Sequence, residues 1–167
     1  GIVTATVTGT DMLGTSYAGT DSITFTIDNT APTVTMTDTD ANNIVTGSNV
    51  VTITATFSEA MASAPTINIT GEVSNVAMTA STTADVWTYP WTVSTTTSGI
   101  VSATVAGTDV SGKAYAGTTS ITFTIDNTAP TITLVENDAD NVLTVGETVL
   151  LTAGADETIS GTPTLTI

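Results

Sequence analysis

The sequence contains no cysteine, no histidine and no arginine, and its only basic side chain is Lys113. Each absence removes a class of chemistry. Without His or Cys there is no Ser–His or Cys–His nucleophile pair, no thiolate or imidazole zinc site, no disulfide and no redox centre. With one Lys and no Arg, a phosphate clamp and an electrostatic route to nucleic acid or an anionic membrane surface are also excluded. No apolar run approaches the roughly 18 residues of a membrane span. No charged-then-apolar leader opens the chain, so neither nucleic-acid binding nor direct membrane insertion is expected. What remains is hard-cation binding by oxygen ligands, contact with sugars, or a structural role.

The composition that is present points the same way. The 167 residues carry 16 Asp and Glu, a formal charge of -15 and a pI near 4.1. A hydrophobic content of 40% and a mean hydropathy of +0.31 are enough to bury a core, which argues against disorder despite the charge. Threonine supplies 43 residues. It is β-branched and favours strands, and it keeps a solvent face hydrated without charge, so an all-β chain is expected.

An internal repeat sets the organisation. Gly-Ile-Val-Thr-Ala-Thr-Val-Thr-Gly-Thr-Asp at 1–11 returns as Gly-Ile-Val-Ser-Ala-Thr-Val-Ala-Gly-Thr-Asp at 99–109, and Ser22–Thr33 returns unchanged as Ser120–Thr131. The offset of 98 residues holds without a gap to the end, with 38 of 69 positions identical. That period suits a small β-sandwich rather than a solenoid unit. Asp28-Asn29-Thr30-Ala31-Pro32 and Asp126-Asn127-Thr128-Ala129-Pro130 each close one alternating strand and open another, so the linkers fall there. Three segments follow: 1–28 as the last strands of one repeat, 29–126 as a complete repeat, and 127–167 as the opening strands of a third. Both outer segments fall short of a repeat, and the parent chain is expected to continue in both directions.

Within 29–126, period-2 alternation marks six or seven short strands and no helix. Val51, Ile53, Ala55 and Phe57 share one face while Thr52, Thr54 and Thr56 take the other. Trp87, Tyr89, Trp91 and Val93 line a face of a later strand, Val101, Ala103 and Val105 the next, and Ile121, Phe123 and Ile125 the last. A strand about Val76 and Met78 has a weaker pattern. The expected architecture is a tandem array of Greek-key β-sandwiches of the immunoglobulin-like kind, about 98 residues each.

The phrases at 22–33 (SITFTIDNTAPT), 51–61 (VTITATFSEAM) and 103–118 (ATVAGTDVSGKAYAGT) resemble bacterial immunoglobulin-like repeats found in tandem in very long surface adhesins, including gliding-motility-type adhesins of marine Bacteroidetes. The likeness covers the whole chain, and the DNTAPT junction followed one strand later by FSEA carries most of it. It implies extracellular, cell-surface spacers that project an adhesive tip, and in many related domains Ca²⁺ at the junctions. The Cys pair of antibody domains is missing. Lys113 aligns with Thr15, so a Lys-based cross-link does not recur in every repeat.

Among candidate sites, the acidic loop after the first strand has the clearest spacing. Asp38, Asp40 and Asn42 in one repeat correspond to Glu136, Asp138 and Asp140 in the next, with oxygen ligands at alternate positions. Ca²⁺ takes six to eight oxygens in flexible geometry, and carboxylates at i, i+2 and i+4 on a turning backbone can converge on one ion. The loop lacks the Gly and late Glu of an EF-hand, so Glu59 and Glu157, with the junction residues Asp28, Asn29, Asp126 and Asn127, are the candidates to complete interdomain sites. The competing reading is a solvated Asp/Asn turn that caps its own backbone. Asp11 and Asp109, each three residues before a Gly, read as turn residues.

Trp87, Tyr89 and Trp91 on one strand face read first as core and second as a sugar platform, with Pro90 pointing to a sheet edge or bulge. The carboxylates lie in turns and recur with the repeat, so no enzyme is expected. The resulting expectation is a structural spacer of a secreted filamentous adhesin, its partners being neighbouring repeats of the same chain. The alternatives are a polysaccharide-binding module, a subunit of a self-assembling filament or sheath whose ends pair by strand addition with other copies of itself, and a spacer within a large secreted enzyme.

Overall fold

The computed structural model describes residues 1–167 as thirteen β-strands and no helix. The chain divides into two compact units, Gly1–Asp126 and Asn127–Ile167. The first unit opens with a two-stranded antiparallel ribbon of β1 (Ile2–Thr6) and β2 (Ser22–Thr26). Two further sheets follow. One has the order β4-β11-β10-β6-β7, built from β4 (Ile44–Val45), β6 (Thr66–Ile69), β7 (Val73–Ala77), β10 (Gly99–Ala106) and β11 (Ser120–Ile125). The other has the order β3-β5-β9-β8, built from β3 (Val34–Asp38), β5 (Val50–Phe57), β8 (Thr79–Ala80) and β9 (Val86–Thr92). The second unit holds β12 (Ile132–Glu136) and β13 (Leu151–Ala155), paired antiparallel.

Alternation in the sequence becomes alternation in burial. Along β5, Val51, Ile53, Ala55 and Phe57 are buried, and along β11 so are Ile121, Phe123 and Ile125. These side chains join Ile67, Ile69, Trp91, Val101 and Ala103 in one core drawn from both larger sheets, an arrangement consistent with a β-sandwich. Trp91 is fully buried, its ring 5.2 Å from that of Phe123 at 59°. Trp87 and Tyr89 are half-buried against the same core, so the three aromatics do not present a flat exposed platform. Pro90 lies opposite Thr52 in β5, on the stretch of β9 that β8 does not reach, because β8 pairs only with Trp87 and Thr88. A residue without an N–H is tolerated at such an edge. The Val76–Met78 pattern resolves into two strands in different sheets, β7 and β8, with buried Met78 between them.

With no disulfide to tie the sheets, Glu72 in the β6–β7 turn reaches across. Its Oε2 accepts the indole N–H of Trp91 at 3.4 Å and the backbone N–H of Ser94 at 3.0 Å. The outward positions hold mostly hydroxyls, with Thr35 opposite Thr56 and Thr37 opposite Thr54, which in turn faces Thr88. Only Asp38 and Glu136 among the sixteen acids lie within strands, each as the last residue.

Candidate metal centre

Three segments of the first unit bring acidic side chains together. Asp28 follows β2, where its Oδ1 accepts the N–H of Thr30 at 3.0 Å and so starts the linker with an Asx turn. Glu59 lies in the β5–β6 loop, and Asp109 in the β10–β11 loop. These two loops are stitched to each other: Ala62 N–H donates to the Thr108 carbonyl at 2.8 Å, Val110 N–H to the Ala60 carbonyl at 3.1 Å, and Met61 bridges to Asp109. Gly107 allows the approach, since a β-carbon there would lie 2.6 Å from the Met61 Cε and 3.3 Å from Pro65 Cβ.

The result is that carboxylate oxygens of Asp28, Glu59 and Asp109 lie within 4.8 Å of one another. Asp109 is 0% exposed, the one fully enclosed charged residue of the core region. Its Oδ1 is saturated by the N–H groups of Ser111 and Lys113 and the Ser111 hydroxyl, all at 2.8 Å. Its Oδ2 is buried and has no hydrogen-bond partner. A buried carboxylate oxygen left unpaired is costly unless something completes it.

Titration behaviour follows from these surroundings. Burial works to raise the Asp109 pKa, but the Lys113, Ser111 and Gly112 donors outweigh it, and the group is held below its ordinary value and stays ionised. Glu59 moves the other way. Loss of solvent, then the charges of Asp28 and Asp109 and a hydrogen bond with Asp28, raise its pKa. Like charges gathered without a basic partner are the setting in which a bound cation is favoured. A depression of about 490 Å³ lined by Thr26, Ile27, Asp28, Val110 and Ser111 opens beside Asp28. The donors are all hard oxygens, which suits a hard divalent ion and not a soft metal.

The acidic loop behaves differently. Asp38 Oδ1 accepts from Asp40 N–H at 2.9 Å, Asp40 Oδ1 from the N–H groups of Asn42 and Asn43, and Asn42 Oδ1 from Ile44 N–H at 3.0 Å. Asn43 takes φ of 58°, as does Asn141 in the second unit. There, Glu136 accepts from the Asp138 N–H and Asp140 from the Val142 N–H, while Asp138 Oδ2 is left buried without a partner. Consecutive Asx-type turns thus use oxygens that a loop-centred ion would need, and the loop's acids do not join a three-carboxylate group. Asn29 is exposed beside Asp28. In the second unit, Glu157 follows Asp156, whose carboxylate holds Thr131 through its N–H at 2.8 Å and its hydroxyl at 2.6 Å. Asp126 and Asn127 stand at the boundary between the units, with the Asp126 N–H on the Val45 carbonyl.

Of the sequence candidates, the structure brings together Asp28 and Glu59, and it adds Asp109. Asp109 does form the turn its Asp-x-x-Gly spacing suggests, with Gly112 at φ of 88°. Asp11 makes the same turn with its own Oδ1 at 2.8 Å from the Leu13 and Thr15 nitrogens. One oxygen makes the turn and the other is left over, a division of labour that spacing alone does not reveal. Comparison of the chain with protein-family models, with curated proteins and with solved structures finds no match.

Proposed function

We propose that the chain is a spacer segment of a secreted, cell-surface filament, built from tandem immunoglobulin-like Greek-key repeats of about 98 residues, and that Ca²⁺ binds at the repeat junction. The observation that carries this reading is the composition of the acidic cluster. Asp28 belongs to the end of one repeat, while Glu59 and Asp109 belong to the next, so a cation among them ties consecutive repeats together. The unpaired Oδ2 of Asp109 supplies the fixed oxygen, and Asp28 and Glu59 are the groups that close on the ion. Calcium is favoured over magnesium because carboxylates from three separate segments suit a large, flexible coordination sphere. In this reading the chain performs no catalysis, and its charge keeps the array soluble and extended.

The test is unfolding of the full chain in Ca²⁺, in chelator and in NaCl of matched ionic strength. An ion that binds only the folded state stabilises it by about 2.7 kcal/mol at a hundredfold excess over Kd. The expected result is a Ca²⁺-specific gain that Glu59→Gln and Asp28→Asn abolish and Asp40→Asn leaves in place. No gain beyond the NaCl control overturns the cation, and a gain that follows Asp40 instead of Glu59 moves the site to the acidic loop.

A further inference from the structure

Residues 34–45 run beside β11 from its start to its end, in the same direction as that strand. At the start, the Thr119 hydroxyl donates to the Val34 carbonyl at 3.4 Å. Further along, the Asn43 side-chain amide donates to the Thr122 carbonyl at 3.2 Å. At the end, the Thr124 N–H donates to the Asn43 carbonyl at 2.8 Å and the Asp126 N–H to the Val45 carbonyl at 2.9 Å. Here the contact becomes a parallel pair, with Ile44 beside Thr124 and Val45 beside Ile125. Every other strand pairing in the chain is antiparallel.

The acidic loop builds this contact. Asp38 Oδ1 takes the N–H of Asp40, and Asp40 Oδ1 takes the N–H groups of Asn42 and Asn43, so the chain winds until Asn43 reaches a φ of 58°. That left-handed conformation is one that Asn tolerates and most residues do not. In it, the carbonyl and the side-chain amide of Asn43 both meet β11. The loop is fastened on its other side by Thr39, whose Oγ1 accepts the Thr52 N–H of β5 at 3.0 Å. Val45, fully buried, anchors β4 in the core. The carboxylates whose spacing suggests an ion loop serve instead to present Asn43 to its neighbour.

We infer that the acidic loop and β4 form a tension clamp, which locks the first strands of the complete repeat to β11 when the chain is pulled along its length. Tension enters the repeat ahead of Val34, beside the start of β11, and leaves after Ile125, at the end of β11. Two neighbours that run the same way and are drawn from opposite ends are loaded in shear, so the bonds between them share the force and fail together. β3 is loaded along its own axis against β5 as well, across the pairs from Val34–Phe57 to Asp38–Ile53, whose bonds stand perpendicular to the pull. Drawn from adjacent ends, β4 and β11 peel apart one bond at a time. Forced unfolding follows the unfolding rate and not the equilibrium stability, so a few well-placed bonds set the resistance. The use of such a clamp rests on the spacer reading, whereas the clamp itself is measured in chelator and stands or falls without the cation.

The experiment is single-molecule pulling of the full chain in two directions. Because the chain has no cysteine, DNA handles can be placed on chosen pairs. Thr30→Cys with Ala129→Cys loads the clamp in shear, and Thr46→Cys with Ala129→Cys peels β4 from β11. The expected result is a several-fold higher unfolding force in the first direction than in the second. Asp40→Ala, which removes the acceptor that winds the loop, should lower the shear force and close most of that gap. Asn43→Gly keeps the left-handed backbone and removes only the amide, so it carries the test even where Asp40→Ala does not fold. Glu72→Ala, whose bonds to Trp91 and Ser94 lie off the load path, should lower the urea midpoint yet leave the shear force near the parent's. Equal forces in the two directions, or a shear force that falls as far with Glu72→Ala as with the loop variants, overturns the inference.

Discussion

Replacing Phe123 with alanine should destabilise the complete repeat by about 3–5 kcal/mol, the range for emptying a closed aromatic site. Replacing Phe25, which sits in the same twelve-residue sequence, should cost less than about 1 kcal/mol. The difference comes only from setting. Phe123 lies between the two larger sheets with its ring 5.2 Å from Trp91, so truncation removes burial and leaves a cavity beside a rigid indole. Phe25 keeps half its surface in water, and its removal leaves a groove that solvent fills. Against a total stability of about 5–15 kcal/mol the first loss is large. The assay is urea unfolding followed by tryptophan fluorescence. Both tryptophans lie in β9, so the signal reports the complete repeat. The Phe123 variant should show a lower midpoint at unchanged slope, and the Phe25 variant a midpoint near the parent's. Equal losses from the two substitutions would refute the assignment of the core to residues 29–126.

Glu72→Ala should cost about 1–3 kcal/mol, because the Trp91 indole and the Ser94 N–H both lose their acceptor, while Glu72→Gln, which keeps an oxygen there, should cost less; urea midpoints distinguish them. Gly117→Ala should destabilise by about 1–2 kcal/mol, since the new methyl would sit 2.4 Å from the Tyr115 hydroxyl and displace a side chain whose hydroxyl oxygen accepts the Thr119 N–H and whose ring packs edge-on to Phe57. The aligned Gly19→Ala acts on exposed Tyr17, which can swing away, and should change little. Asp11 is held below its ordinary pKa by the Thr15 and Leu13 N–H groups. A depressed carboxylate stabilises its turn above the unfolded pKa and releases it as pH falls through the folded one, so the Leu13 and Thr15 amide resonances should shift together in acid below the usual Asp range, and Asp11→Asn should remove that transition.

The strands were legible because a period of two needs no tertiary information: Val51 to Phe57 and Ile121 to Ile125 are buried at every second position, as the pattern requires. Met78 was harder. It continues the alternation of β7 in sequence, but the chain changes sheets at that residue, and a change of sheet leaves no mark in local periodicity. The acidic loop drew attention because its ligand spacing is local. The three-carboxylate cluster was only half visible, because it depends on three segments that are 31 and 50 residues apart in sequence, two of which meet through the Ala60–Val110 and Ala62–Thr108 contacts. Asp28 and Glu59 could be suspected from their places in the repeat. Asp109 was hidden by its own turn, which accounts for one oxygen and says nothing of the other.

The confinement of acids to strand ends and turns has a lateral consequence. A chain with a charge of -15 would be expected to repel its neighbours from every side, yet its threonine-covered strands carry acids only as the last residues of two of them, Asp38 and Glu136. Repulsion is therefore anisotropic: strong where turns meet turns and nearly silent where one pleated face slides past another. Salt, which screens over about 8–10 Å, acts mainly on the charged rims. Two copies of the chain meeting by these faces would be held apart by hydration of their hydroxyls rather than by charge, so their tendency to associate there should follow the water activity of the surroundings more closely than the ionic strength.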